Sequence, residues 1–360
     1  KKMVVMMAGQ GNAASTQQDD EKVIGSVKIA SYKWSASSNG TLLKTIVGAF
    51  AIFAFLAVWI SSLASPFILY ASIRYQRYAI TSVILVIFTC AYVPWEKGLF
   101  SKVFTAGVRL NVYYYKKCTQ IFMGASLPSR GEEDGPKKNH KPKIYGVHPH
   151  GVFCLGWSIL FCSPLMASVR FIFAPVLYAS PFFRLWSRLT GNPGSADKAS
   201  MIEYMKRREH LAIPPGGFEE ATLSSPSHDR VYIKKRAGFV KLALQHGYNL
   251  VPVYVFGENK TYFNVQGGWK ARLSLNSYSI PAIMAYGLSF FPILPRRNTQ
   301  GLYIVVGDQL ELPWIENPSR EDVNHWHKLY ISALVKLFDE HKVDAYGKEE
   351  GAEKKKLELW

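Results

Sequence analysis

The chain separates into stretches that differ in how their apolar residues are spaced. No charged residue lies between Lys44 and Arg74, and residues 46–63 are almost wholly apolar. A helix needs ~20 such residues to cross a bilayer, so this run is long enough. Past Arg74 and Arg77 a second uncharged run extends from Tyr78 to Trp95, with Pro94 and Trp95 suited to a water interface. Only a few residues part the runs. The pattern predicts a transmembrane or re-entrant helical hairpin over residues 41–95. Residues 1–40 are rich in Gly, Ala, Ser, Gln and Asp without sustained periodicity, which predicts a disordered N-terminal tail. Their apolar patch from Met3 to Ala8 is too short for the core of a cleavable signal peptide.

After a polar loop, Gly124 to Pro142, the period changes. Short apolar runs at Ile144–Val147, Val169–Ala174, Leu211–Ile213, Leu250–Phe256 and Tyr303–Val306 predict strands. Helical spacing falls between them, at Ala199–Arg208 with Ser195 or Asp197 as cap, and at Gly238–His246 closed by Gly247. A last helix starts near Ser319, whose spacing to Asp322 fits a capping box. It carries Trp326, Tyr330, Leu334 and Leu337 as one stripe. Alternation of strand and helix predicts an α/β domain with a mostly parallel sheet over residues 96–345. Residues 346–360 read as a charged tail whose end, Leu357-Glu-Leu-Trp360, could touch a membrane surface.

Composition sharpens this picture. The 360 residues are ample for a core; 48% are hydrophobic and 14% aromatic, and 43 Lys and Arg stand against 26 Asp and Glu. A basic balance suits nucleic acid or an anionic membrane. The long uncharged runs favour the membrane and argue against nucleic acid. Lys22, Lys28, Lys33 and Lys44 precede the hairpin, and Lys97, Lys102, Arg109, Lys116 and Lys117 follow it. Basic outer flanks predict that both termini face the cytosol. Cys90, Cys118, Cys154 and Cys162 form no CxxC pair, which suits a reducing compartment. Cys154 or Cys162 could carry an acyl group, but a small buried thiol is the commoner case.

The candidate chemistry gathers where strands end. In an open α/β sheet, ligands bind beyond the carboxyl ends of the strands. One predicted strand runs into His148-Pro149-His150-Gly151, a second into Pro214-Pro-Gly216-Gly217-Phe-Glu-Glu220, and a third into Gly257-Glu-Asn259. Neutral imidazole suits a general base. Glycine turns at Gly151 or Gly216-Gly217 expose amides able to hold an oxyanion. Pro149 restrains the backbone of His148, which tips the choice of base slightly toward His148. The cations at Lys234-Lys-Arg236, Lys241, Arg296 and Arg297 could meet phosphates. The uncharged stretches Val152–Val169 and Leu273–Pro295 could line an apolar channel.

Four blocks in this order resemble the type-2 diacylglycerol acyltransferase family. They are His148-Pro-His-Gly151, Pro215-Gly-Gly-Phe-Glu-Glu220, Arg236-Ala-Gly-Phe-Val-Lys-Leu-Ala-Leu244 and Leu250-Val-Pro-Val-Tyr-Val-Phe-Gly-Glu-Asn259. Val305-Val-Gly-Asp308 and the segment from His327 to Lys342 extend the likeness. The resemblance implies a membrane-anchored, glycerolipid-acyltransferase-like domain. It implies direct acyl transfer from acyl-CoA to diacylglycerol, making triacylglycerol at the endoplasmic reticulum membrane and lipid-droplet surface. It assigns His148, His150 and Glu220 to catalysis, with Arg236, Gly238 and Asn259 in the later blocks, and it implies no cofactor beyond acyl-CoA as substrate. Glu220 would orient the imidazole. Membrane lipid is an expected partner, and self-association is left open. The family's Tyr-Phe-Pro before the histidines is missing, and Phe55-Leu-Ala-Val58 only approximates its neutral-lipid motif. This leaves monoacylglycerol or a long-chain alcohol as alternative acceptors. Five residues after His148, where wider glycerolipid acyltransferases carry Asp, this chain has Phe153.

Two other classes remain open on the residues alone. A metal-dependent lipid hydrolase is suggested by the His-x-His pairs His148/His150 and His325/His327, but residues two apart on a helix diverge, and no metal site is expected. A non-catalytic lipid-droplet scaffold would need the hairpin but not the three-loop rim.

Overall fold

The computed structural model describes residues 22–23, 28–29, 32–38, 41–93, 98–128, 141–278, 282–297, 301–347 and 351–360. The expected disorder of residues 1–21, the interface residues Pro94 and Trp95 and most of the polar loop lie outside these.

All five predicted strands form and join one eight-stranded sheet. Its order is Tyr32–Ser37, Lys117–Phe122, Leu302–Val306, Asn249–Phe256, Lys143–His148, His210–Ile213, Val169–Phe173 and Pro193–Ser195. Neighbours run parallel except at the first pair and between Asn249–Phe256 and Leu302–Val306. The two central strands are buried along their whole length, as continuous apolar runs in parallel sheets should be. In register, Tyr254 lies opposite His148 and Gly146 opposite Ile213. The strands ending at His148, Ile213 and Phe256 therefore finish on one rim.

Side chains alternate across the sheet. Tyr145 and Val147 pack into one core with Val251, Val253, Val255 and the first apolar helix. Ile144 packs into the opposite core with Tyr254, Phe256 and the stripe Tyr330, Leu334, Leu337 and Phe338. That stripe belongs to Arg320–Tyr346, started by the Ser319/Asp322 capping box. Alternation accordingly sends Gly146 and His148 toward the Tyr330 face.

The hairpin forms as Leu42–Arg74 and Tyr78–Tyr92. Only the first, over Leu42–Ser62, is long and apolar enough to cross a membrane among the described residues. The second, at 15 residues, is about 22 Å long, short of the ~30 Å hydrocarbon core. Ile52, Phe55 and Leu56, spaced as one helical face, are buried in the core that also holds Val112 and Trp186, while Leu42, Leu43, Phe50, Phe67 and Tyr70 are exposed.

Two domain boundaries need correction. Residues 32–37 are not part of a tail: Tyr32, Trp34 and Ala36 alternate onto the core, and their backbone pairs antiparallel with Lys117–Phe122. The segment 346–360 is not a free charged tail either. Leu357–Leu359 pairs parallel with Asp229–Val231, and the Trp360 carbonyl accepts from Ile233 N at 3.1 Å and Lys234 N at 2.8 Å. The helix predicted at Ala199–Arg208 is Lys198–Lys206, capped by Asp197, which accepts from Ser200 N.

Candidate active site

The Lys143–His148 strand delivers its last residue to the Tyr330 face, where His148 is fully buried. Its Nδ1 lies 2.8 Å from Glu220 Oε1, and its Nε2 lies 3.3 Å from the Tyr330 hydroxyl. Glu220 is the hub of the rim. Oε1 also accepts from Tyr232 N at 3.0 Å, and Oε2 accepts from His150 N at 2.7 Å. A carboxylate that accepts from His148 requires the Nδ1–H tautomer there. Glu220 itself sits in the first turn of Gly217–Leu223. A Cβ at Gly216 would collide with the Glu220 carboxyl, so glycine is what lets that carboxylate fold back under the turn.

The turn after Pro149 carries His150 across to the other side. His150 Nδ1 lies 2.8 Å from the Gly151 carbonyl, and Nε2 lies 3.1 Å from Cys154 Sγ. A carbonyl can only accept, so Nδ1 bears the proton and Nε2 presents a lone pair. Burial holds the imidazole below its ordinary pKa, so it is neutral at pH 7. His150 lines two adjoining cavities. One is enclosed, about 100 Å³, and walled by aromatic side chains that include Phe153, Trp157 and Trp186, together with Phe55 and Trp59 of the first helix. The other is an open cleft of about 650 Å³, bordered by Pro214, Pro215, Gly217, Lys235, Arg236 and Gly238.

His148 lines neither cavity, and its ring nitrogens face Glu220 and Tyr330. His150 has partners at both ring nitrogens as well, but it lines both cavities. The Glu220 carboxylate meets the His148 ring at Nδ1, whereas the His150 ring meets the Gly151 carbonyl and its backbone amide donates to Glu220. Phe153, in place of an aspartate, packs edge-on to Trp59 and Tyr262 and helps wall the enclosed cavity.

The remaining expected residues divide. Gly217 N donates to the Pro214 carbonyl at 3.2 Å, so that amide serves the turn rather than an oxyanion. Gly151 makes room for a second buried carboxylate, since a Cβ there would overlap Glu258. Arg236 pairs with Glu219 and borders the open cleft. Lys241 is exposed and lines neither cavity. Asn259 is buried and donates to the His228 carbonyl at 3.2 Å and Asp229 Oδ1 at 3.3 Å, a structural rather than substrate-facing position. Arg296 stacks on Phe263, and Arg297 donates to Ser38 Oγ, so neither reaches the two cavities.

Three further residues meet the histidines and their turn in contacts that the sequence does not predict. Tyr330 closes over His148. Cys154 meets His150. Glu258, fully buried, accepts from Leu155 N at 3.0 Å and Gly156 N at 2.7 Å, holding the start of Leu155–Phe161 beneath the rim. The sequence marks Cys154 only as a possible acyl carrier, Tyr330 only as part of a helical stripe, and Glu258 only by its place at the end of a strand that reaches the rim. The uncharged stretch from Val152 does line the enclosed cavity, as expected, and Ile283 of the second stretch joins it. Among the described residues no three His, Cys, Asp or Glu side chains converge to hold a metal ion. His325 is exposed and His327 buried on opposite sides of their helix.

A family model described as diacylglycerol acyltransferase matches residues 116–355. The chain is 34% identical over 221 residues to 2-acylglycerol O-acyltransferase 1 of Mus musculus, covering 55% of this chain and 65% of that relative. It is 31% identical over 235 residues to diacylglycerol O-acyltransferase 2 of Dictyostelium discoideum, covering 60% of this chain and 70% of that relative. It is 33% identical over 230 residues to acyl-CoA wax alcohol acyltransferase 2 of Homo sapiens, covering 58% of this chain and 67% of that relative. No solved structure matches it significantly. With the family's match running from the second strand of the sheet to the docked C-terminal segment, the chain belongs to the diacylglycerol acyltransferase family.

Proposed function

We propose that the chain transfers an acyl group from acyl-CoA to the hydroxyl of diacylglycerol, making triacylglycerol, with His150 as the general base. The observation that carries this is the position of His150 Nε2. It is an unprotonated nitrogen at the junction of an aromatic cavity and a cleft with basic residues at its edge. The cleft, with Lys235 and Arg236, suits the phosphates of the coenzyme. The enclosed cavity is too small for a whole long chain and suits the carbons next to the reacting carbonyl. The acceptor hydroxyl takes the place of the Cys154 thiol at Nε2 and passes its proton there as it attacks the thioester. Glu220 positions both histidines.

A second reading keeps the chemistry and changes the acceptor to monoacylglycerol or a long-chain alcohol. The names of the relatives favour keeping it, since they span all these acceptors. Competition among diacylglycerol, monoacylglycerol and fatty alcohol in microsomes decides, with labelled acyl-CoA. A preferred triacylglycerol product supports the first reading, and a preferred wax ester or diacylglycerol product supports the second.

The reading also places the protein on the endoplasmic reticulum membrane and lipid droplets, with both ends of the hairpin on the cytosolic side. The strand Tyr32–Ser37 before the hairpin and Lys117–Phe122 after it pair in the same sheet. That pairing supports a hairpin that enters and leaves the membrane on one side. A glycosylation acceptor engineered near either terminus should stay unmodified; modification at one end only would contradict this.

A further inference from the structure

The Cys154 thiol stands where the acceptor hydroxyl must stand. Its Sγ is 3.1 Å from His150 Nε2, and the Gly151 carbonyl keeps the proton on Nδ1. The thiol hydrogen therefore points at the base. Cys154 also lines the enclosed aromatic cavity together with His150. Its backbone is left-handed, φ 52° and ψ 49°, in the turn between the histidines and the Leu155–Phe161 helix. A non-glycine residue seldom adopts that conformation, and where one does, at a strand-turn-helix junction, the side chain is thrust out of the turn. A thiol, an unprotonated imidazole and an apolar cavity thus meet at one point.

From this juxtaposition we propose that Cys154 is a second acyl acceptor, which takes the acyl group from bound acyl-CoA when no alcohol occupies the site. The inference rests on the acyl-CoA reading above. Sγ attacks the thioester carbonyl carbon; a new Sγ–carbon bond forms and the carbon–sulfur bond to coenzyme A breaks. The thiol proton passes to His150 Nε2 and then to the departing coenzyme thiolate. One thioester replaces another, with no redox change and no net proton. Burial, with Glu258 and Glu220 nearby, pushes the thiol pKa up. The resting thiol is therefore protonated and needs His150 to react, unlike a free surface thiolate.

The test uses the purified full chain with palmitoyl-CoA and no alcohol, followed by intact mass. One palmitoyl adduct per chain is expected, located on the Cys154 peptide and released by neutral hydroxylamine. His150→Ala should form it at least ~10²-fold more slowly, the usual scale of a lost general base. Cys154→Gly should form none there, and glycine suits the left-handed position, so folding is retained. Cys154→Ser, of similar size, should also lose the hydroxylamine-labile adduct. Exposed Cys90 serves as the internal control, since any adduct there should be indifferent to His150. A preparation that makes ester from an added alcohol but acquires no adduct on Cys154 overturns the proposal alone. So does an adduct that forms equally fast in His150→Ala. Absence of ester with every acceptor would instead remove the acyltransferase reading, and this inference with it.

Discussion

Glu220→Gln keeps the shape of the rim's hub and changes one oxygen into a donor. The wild-type carboxylate accepts from His148 Nδ1, Tyr232 N and His150 N. A glutamine amide can keep its oxygen toward His148 and Tyr232 only by turning its NH2 toward the His150 amide. That forfeits one hydrogen bond to a charged group, worth roughly 1.5–3 kcal/mol, and leaves a buried N–H facing another donor. A stability loss of roughly 3 kcal/mol is expected. The catalytic effect follows from position: His150 is no longer gripped by its backbone, and a 1 Å misplacement can cost ~10²-fold. Ester formation would be assayed in membranes with matched expression for Glu220→Gln, His150→Ala and the double variant. Removing the base should cost ~10²–10⁴-fold. If Glu220 acts through His150, the double variant should be hardly worse than His150→Ala, because residues acting as a unit are not additive. Losses that multiply to roughly 10⁴–10⁶-fold would refute the reasoning. Glu219→Gln is the control: it loses the pair with part-exposed Arg236, worth roughly 0–1 kcal/mol.

Burial pushes the Glu258 carboxyl from 4.5 up to about 7. The folded chain then binds more protons than the unfolded one between these values, so stability falls as pH rises through that window, by on the order of 3 kcal/mol at most. The melting temperature of the wild type minus that of Glu258→Gln should decline between about pH 5 and about pH 7.5; a flat difference would contradict the assignment. Removing residues 357–360 should lower kcat/KM for acyl-CoA roughly tenfold, on a scale of about 1 kcal/mol per hydrogen bond lost. That segment holds residues 231–234, which present Tyr232 N to Glu220 and lead into Lys235 and Arg236. Unchanged kinetics would show that the clamp does not reach the site.

Much of the fold was legible because its signals are local. Continuous apolar runs mark the buried strands, and Ser319 with Asp322 marks the start of the long helix. The rim was legible too, since parallel strands ending in glycine and histidine turns must finish at one edge. What failed depends on packing. Residues 32–37 carry a period-two pattern, yet nothing local says that Lys117–Phe122 waits beside them. The docking of Leu357–Leu359 is likewise tertiary. Strand parity could have placed His148 opposite Val147, but only the packed structure tells which face holds Tyr330 and which side holds the cavities. The glycines were read as amide donors, whereas Gly151 and Gly216 chiefly make space for the buried carboxylates of Glu258 and Glu220. That requirement is invisible until the carboxylates, 107 and four residues further along the chain, are seen in place.

The central claim is that His150, rather than the buried His148, takes the proton of the acceptor hydroxyl. It is tested most directly by the turnover of purified His150→Ala with labelled acyl-CoA and diacylglycerol, both saturating. The account predicts a fall in kcat of ~10²–10⁴-fold, with the KM for acyl-CoA little changed and the melting temperature close to wild type. Wild-type turnover in His150→Ala would contradict it.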